Sequence, residues 1–345
     1  MARTAHIGTL VVGRGHPVLV QTMYDSPIPH DEEHLGELMR RLTGLKAMGC
    51  DIIRFSYPSV DDHDAFRFIC IHSPMPVVAD IHFDYRCALD AIACGCQKIR
   101  INPGNIGQKW MVEDVVRAAG DHGVAIRIGL NGGSLPRQGN KDEKVRMVDS
   151  AIEYLSLFDG LGFDNTVVSL KSSDPETCYE MNTLFARRSD CPLHIGVTEA
   201  GSVVSSVTRS TWAMGRLLSQ GIGDTLRVSI TGPIETEVQA GVELLRTLGL
   251  RTGGIRIVSC PRCGRCTFDT QGFLASVEDE LLTVGKDLTV AIMGCQVNGP
   301  GEAKHSDIAI TGIGRSVFLY KKGVLVREVK KEDAKKALFE AIAEC

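Results

Sequence analysis

The sequence predicts an α/β protein, a (β/α)8 TIM barrel followed by a small α+β iron-sulfur domain. Three observations carry this. A strand-then-helix grammar repeats over roughly the first 250 residues; several of those strands hold one Arg or Lys between apolar neighbours; and a C-x2-C-x2-C run stands where the grammar changes.

Strand-like runs ending in polar residues fall at 18–23, 51–57, 77–83, 98–102, 125–131, 166–171, 193–199 and 225–231. About eight is the number at which parallel strands with intervening helices close into a barrel. Between them, apolar positions three and four apart predict helices such as 31–48, 141–158 and 234–248, the last with Ile234, Val238, Val242, Leu245 and Leu248 in one stripe. Gly49, Gly95, Gly123, Gly221 and Gly249 stand at helix exits. An open doubly wound sheet is the alternative, but no G-x-G-x-x-G follows the first strand. After Arg251-Thr252-Gly253-Gly254 come a strand at 255–259, a Cys-rich turn, a helix at 271–284, a strand at 288–293, a Gly-rich turn, strands at 307–310, 316–321 and 324–329, and a helix at 331–343. The expected domains are a substrate-binding barrel, 1–252, and a cluster domain, 253–345.

The 345 residues include 38 Lys plus Arg and 42 Asp plus Glu, a net charge of −4, so the overall balance gives no electrostatic reason to expect nucleic acid or an anionic membrane as partner. No apolar run reaches the length of a membrane span, and the first residues lack the apolar core of a signal peptide. A cytoplasmic protein is expected. In a reducing compartment its 12 Cys are thiols, metal ligands or catalytic groups rather than disulfides.

Arg54, Arg100, Arg127, Lys171 and Arg227 each sit in a strand beside apolar residues. Alternation sends those neighbours to the helices and the cations into the barrel. One such Arg is expected to pair with a barrel carboxylate; several in equivalent positions call for a strongly anionic ligand, which guanidinium groups grip with paired hydrogen bonds. Asn102, Asn131, Lys171, Glu199 and Ser229 fall at C-terminal strand ends, where barrel active sites lie. Asp80 and His82, two apart on one strand face, read as polar contacts to substrate. Glu199 is the carboxylate at a strand end beside the cations, suited to acid/base work or to holding a substrate hydroxyl, with a structural Arg partner as the alternative.

In the second domain Cys260, Cys263 and Cys266 form the C-x2-C-x2-C run, and Cys295 opens the stretch that ends Asn298-Gly299-Pro300-Gly301-Glu302. A zinc knuckle of four thiolates using Cys266 is one reading. An iron-sulfur cluster is favoured, because the second stretch is rich in Gly and Pro and ends in a carboxylate whose oxygen would leave one iron labile and open. The other eight, Cys50, Cys70, Cys87, Cys94, Cys96, Cys178, Cys191 and Cys345, are expected to be reduced thiols without a role.

The runs Val20-Gln21-Thr22-Met23, Val78-Ala79-Asp80-Ile81-His82-Phe83-Asp84-Tyr85-Arg86, Arg100-Ile101-Asn102-Pro103-Gly104-Asn105-Ile106-Gly107, Gly221-Ile222-Gly223-Asp224-Thr225-Leu226-Arg227-Val228-Ser229 and Asn298-Gly299-Pro300-Gly301-Glu302 carry a resemblance over nearly the whole chain. It resembles the (E)-4-hydroxy-3-methylbut-2-enyl diphosphate synthase family, iron-sulfur enzymes of the methylerythritol phosphate route to isoprenoids. The resemblance implies two-electron reductive ring opening of 2-C-methyl-D-erythritol 2,4-cyclodiphosphate with loss of a hydroxyl as water. By motif, Cys260, Cys263, Cys295 and Glu302 would hold a [4Fe-4S] cluster fed by reduced flavodoxin or ferredoxin, with Cys266 extra. The barrel cations, with Asn102, Asn131, His82 and Ser229, would hold the cyclic diphosphate, and Glu199 looks like the barrel acid. A head-to-tail homodimer is implied as well. Thr22-Met23-Tyr24-Asp25 stands where bacterial members usually carry Ser-Met-Thr-Asn, and the segment after Ser134 is shorter than in many relatives. Competing readings are another barrel chemistry, such as a pterin-dependent transferase, or an electron-transfer or zinc-binding module on an inert barrel.

Overall fold

The structure, a computed structural model, describes residues 3–131 and 142–345, with Asn131 described by its backbone alone. The chain divides into two compact units, Met1–Arg251 and Thr252–Cys345.

The first unit opens with an antiparallel hairpin, β1 (Thr4–Ile7) and β2 (Leu10–Gly13). The barrel strands follow: β3 (Leu19–Met23), β4 (Ile52–Ser56), β5 (Val77–Asp80), β6 (Lys98–Ile101), β7 (Ala125–Asn131), β8 (Thr166–Lys171), β9 (His194–Ile195) and β10 (Thr225–Leu226). They pair in parallel in the order β8-β7-β6-β5-β4-β3-β10-β9, and a parallel bridge from Val168 to Leu193 closes the ring. Helices between successive strands pack outside, among them Glu32–Ala47, Glu143–Gly160 and Ile234–Thr247.

Strand parity sorts the core. Ile53, Phe55, Val77, Ala79, Ile99, Ile101, Ile126 and Ile128 pack outward with helix residues. Their neighbours Leu19, Ile52, Val78, Ala125 and Val167 face inward and meet Ala5, Ile7 and Val12 of the hairpin, so β1 and β2 plug the barrel at the N-terminal ends of its strands. Nothing in the sequence reading anticipated this plug. Strands expected at 193–199 and 225–231 each keep only two ladder residues. Beyond them the backbones stay close: Arg227 N donates to Ile195 O at 3.1 Å, and a Cβ on Gly196 would lie 2.6 Å from the Arg227 carbonyl oxygen. The strand expected at 77–83 likewise ends at Asp80.

The second unit is one five-stranded sheet, β11 (Ile255–Ser259), β12 (Leu288–Met293), β13 (Ile308–Ile313), β14 (Ser316–Lys321) and β15 (Val324–Lys330), in that order. The first three strands are parallel and the rest antiparallel. Helices Thr270–Leu282 and Ala334–Ala343 lay Val277, Leu281, Leu338 and Ile342 on Val290, Ile292, Ile308 and Ile310. The Gly-rich turn after β12 contains a short helix, Gly299–Ala303. Its first residue must be Gly, since a Cβ there would overlap the Thr311 side chain.

Candidate active site: a cationic barrel and a cysteine loop

Register places Asp80 beside Arg100 and Arg100 beside Arg127 on three neighbouring strands, with Arg54 opposite Met23 one strand further round. Asp80 accepts from Arg100 Nη1 at 3.2 Å and lies 3.7 Å from Arg54 Nε. Burial opposes its ionisation, yet the combined field of Arg54, Arg100, Arg127 and His82 outweighs this and holds its carboxyl below the ordinary value. Asp80 thus binds arginines directly. His82 Nε2 lies 3.8 Å from its Oδ2, with the ring largely open to solvent.

Arg227, just past β10, is held by Glu237 of helix Ile234–Thr247 through both carboxylate oxygens at 2.9 Å. The expectation that Glu199 is the one carboxylate at a strand end beside the cations is corrected in its uniqueness alone: among the described residues Asp80 and Glu237 are the carboxylates that pair with the ring arginines. Glu237 was missed, although position 237 lies three residues after Ile234 and beside Val238, within the apolar stripe, where a carboxylate signals a buried partner.

These two carboxylates leave the lining cationic. Arg127 is 1% exposed, and its Nε and Nη1 find no hydrogen-bond acceptor among the described residues. Burial first, then Arg54 and Arg100, push its guanidinium well below the ordinary value. Burial, Arg127 and Arg54 do the same to Lys171. Arg54, pressed by burial and by Arg227 and Arg100 although Asp80 supports it, falls to about 10. Below this ring lies a polar layer the sequence reading overlooked: Lys98 Nζ donates to Gln21 Oε1 at 2.9 Å, and His194 Nδ1 meets Thr225 Oγ1 at 2.8 Å. Lys98 was legible, since it precedes Arg100 by two and so shares its face.

Two cavities open beside the ring. One, about 660 Å³, is lined by Met23, Tyr24, Ser56, Arg227 and Glu237. The other, about 240 Å³, is lined by Lys171, Ser172, Thr198, Glu199 and Lys144. Glu199 is exposed and holds φ at 52°, a left-handed conformation that disfavours a side chain, because Val197 and Ala200 on either side are buried. Ser229 follows Arg227 by two and is half-buried. The Asn102 side chain accepts from Gly104 N at 3.2 Å, capping the turn Pro103–Ile106. The side chain of Asn131 and the segment after Ser134 lie outside the described residues.

In the second unit, Cys260 follows β11 and Cys295 follows β12, adjacent parallel strands. Cys260 N donates to Ile292 O and Thr267 N to Gly294 O, both at 3.0 Å, so the cysteine loop is tied at each end to the chain leading into Cys295. The hydrogen-bonded turn within it joins Cys263 to Cys266, whose N–H donates to the Cys263 carbonyl at 2.9 Å. Cys263 is exposed, Cys260 half-buried and Cys295 buried. Backbone N–H groups of Asn298 and Val297, then Arg265, draw the Cys295 thiol below its ordinary value, which suits a thiolate ligand. Glu302 lies in the short helix that follows. Three thiols and a carboxylate on two tethered loops are a donor set that fits an iron-sulfur cluster. The Cys266 thiol is engaged elsewhere, donating to Phe268 O at 2.9 Å. All 12 cysteines are free thiols.

The GcpE TIM-barrel domain family matches residues 2–242 and the GcpE protein C-terminal domain family matches 256–344. A relative from Treponema pallidum, "4-hydroxy-3-methylbut-2-en-1-yl diphosphate synthase (flavodoxin)", is 43% identical over 95% of this chain and 84% of its own. A relative of the same name from Geobacter sulfurreducens is 42% identical over 97% of this chain and 95% of its own. Among solved structures, dihydropteroate synthases from Xanthomonas albilineans and Yersinia pestis each cover 72% of this chain and 98% of their own at a TM-score of 0.52, with 14% and 11% identity. That likeness is one of barrel fold alone. With both units matched and relatives 42–43% identical along nearly its whole length, the chain belongs to the GcpE family of 4-hydroxy-3-methylbut-2-en-1-yl diphosphate synthases.

Proposed function

We propose that this chain opens the ring of 2-C-methyl-D-erythritol 2,4-cyclodiphosphate reductively, taking up two electrons and a proton and releasing water and (E)-4-hydroxy-3-methylbut-2-enyl diphosphate. The observation that carries the substrate assignment is the buried guanidinium of Arg127, whose Nε and Nη1 find no acceptor among the described residues, in a ring whose carboxylates are already engaged. Such a ring is built for an anion that supplies the missing acceptors. Arg54, Arg100, Arg127, Lys171 and Arg227 bind the two phosphates. Asp80 and Glu237 orient the arginines, so that little reorganisation accompanies binding. Asn102, Asn131, His82 and Ser229 supply neutral hydrogen bonds around the carbon skeleton, and Glu199 holds the proton of the hydroxyl that departs.

Cys260, Cys263, Cys295 and Glu302 would hold a [4Fe-4S] cluster, which when bound supplies the electrons and a Lewis-acidic iron. The name those relatives carry makes flavodoxin the favoured donor over ferredoxin. Among the described residues no helix is long and apolar enough to cross a membrane, and a cytoplasmic setting is part of the proposal. So is the head-to-tail homodimer. Mixing Arg127→Ala with Cys263→Ala chains tests it: activity regained only in the mixture supports sites shared between subunits. The whole reading is tested by anaerobic turnover of the cyclic diphosphate with reduced flavodoxin. Failure of a cluster-replete protein to form the linear diphosphate would overturn it.

A further inference from the structure

Away from the barrel interior, three ligating side chains of different chemistry converge on its outer layer. His63 opens the helix His63–His72, while Asp90 lies in the helix Tyr85–Ala93 with Cys94 at its C-cap, one turn on and on the same face. His63 Nδ1 lies 2.9 Å from Asp90 Oδ1 and 3.4 Å from Cys94 Sγ, and Cys94 Sγ lies 4.0 Å from Asp90 Oδ2. Among the described residues this is the one group of three or more His, Cys, Asp or Glu side chains whose donor atoms all lie within 4.8 Å of one another. Tyr57, directly after β4, donates its hydroxyl to Asp90 Oδ2. Cys94 is buried, whereas the His63 and Asp90 side chains keep 38% and 24% exposure, which leaves an ion a way in.

We propose that His63, Asp90 and Cys94 bind one Zn2+ ion. Bonds of about 2.0–2.3 Å at tetrahedral angles place donors roughly 3.3–3.7 Å apart; the Nδ1 to Sγ distance is 3.4 Å, and one donor atom from each residue lies within 4.8 Å of the other two, so modest side-chain shifts suffice. Imidazole, carboxylate and thiolate together suit zinc rather than magnesium or calcium, which take oxygen donors. The Tyr57 hydroxyl fixes the Asp90 carboxylate as an outer partner of a ligand normally does. Three protein donors leave a fourth position for water. On binding, the Cys94 thiol proton is released, the imidazole hydrogen resides on Nε2, and Nδ1 ligates through its lone pair.

The ion has no part in the reductive chemistry. It ties together the two helices that flank β5 in the chain, and β5 ends at Asp80, the residue that holds Arg54 and Arg100. Cys94 thereby leaves the set of thiols expected to be without a role.

Cluster-loaded protein, prepared anaerobically and dialysed against dilute zinc, tests this in wild type, Cys94→Ser and His63→Ala, with iron and sulfide assayed on the same samples. The expected result is one zinc more per chain in wild type than in either variant at equal iron and sulfide, which separates this site from the cluster cysteines. Cobalt is the second probe: thiolate-to-cobalt charge-transfer absorption is expected in wild type and absent in Cys94→Ser. Wild type alone also decides the matter in a competition with a chromophoric chelator, whatever the variants' folding. No uptake there, equal zinc in all three proteins, or cobalt absorption that survives Cys94→Ser overturns the proposal.

Discussion

Glu237 holds Arg227 by both carboxylate oxygens at 2.9 Å and also accepts the Thr22 hydroxyl at 2.6 Å. A helix residue thereby fixes a cation of β10's extension and is itself fixed by β3. The contact Thr22 makes needs only its hydroxyl. Removing one partner of a buried pair strands the other and costs about 3–5 kcal/mol. Glu237→Ala is therefore expected to lower Tm clearly and to lower kcat/KM by tenfold or more, in line with roughly 1.4 kcal/mol of lost positioning. Thr22→Val costs less, on the order of 1–3 kcal/mol for the unmade bond. Thermal melts and steady-state kinetics check both; a Glu237→Ala protein with wild-type Tm would remove Glu237 from this role.

Protons should move when an anion binds. Burial and neighbouring cations lower the Lys171 amine in the folded protein, so the unfolded chain binds the proton more readily and this group's penalty shrinks as pH rises from the folded toward the unfolded value. A diphosphate among the same groups favours the charged amine and raises it again. Affinity for inorganic diphosphate is then greatest below the folded value and falls as pH climbs through it, and binding takes protons up. Calorimetry in buffers of different ionisation enthalpy measures the uptake, which Lys171→Met should reduce. Comparison with Lys171→Met cancels the protons that the diphosphate itself exchanges, and identical exchange in the two proteins would count against Lys171 as part of an anion site.

Alternation made most of the ring readable: a cation beside buried apolar neighbours faces inward in a strand with helices outside. What alternation cannot show is who partners whom. Asp80, read as a substrate contact, binds Arg54 and Arg100, because register sets it beside Arg100, and the alternation within one strand does not name its neighbour across the ladder. The β1–β2 plug was illegible for another reason. Its strands are four residues long, and Ala5, Ile7 and Val12 gain meaning only against residues such as Ile52 and Val167, far along the chain. The second unit was legible almost strand by strand, since each strand there is five to seven residues long and the cysteines mark the loops.

Glu199 separates chemistry from fold. Its left-handed φ costs on the order of 1 kcal/mol for a residue with a Cβ, a conformation Asn tolerates better. Glu199→Asn is expected to hold or raise Tm while kcat falls by about 10²–10⁴, the range for loss of a positioned acid. KM for the cyclic diphosphate should change little, since the phosphates are proposed to sit on the cations and not on Glu199. A variant that loses Tm and keeps kcat would make Glu199 structural.

Cys266 is the thiol whose role the geometry decides. It donates to Phe268 O, and a Cβ at Gly294 would overlap its Sγ, so it fills the space left by a residue without a side chain. Cys266→Ala is expected to keep wild-type iron and sulfide per chain, whereas Cys263→Ala loses them. Gly294→Ala should destabilise by about 1–3 kcal/mol through overpacking. Adding Cys266→Ala should recover part of that loss, because the residual distance between the two Cβ atoms is an ordinary 3.5 Å, leaving only the Thr270 methyl at 3.0 Å to yield. Metal and sulfide analysis with a double-mutant cycle in Tm reads both claims. If Cys266→Ala sheds the cluster as Cys263→Ala does while Glu302→Ala retains it, the fourth ligand is the thiol and not the carboxylate.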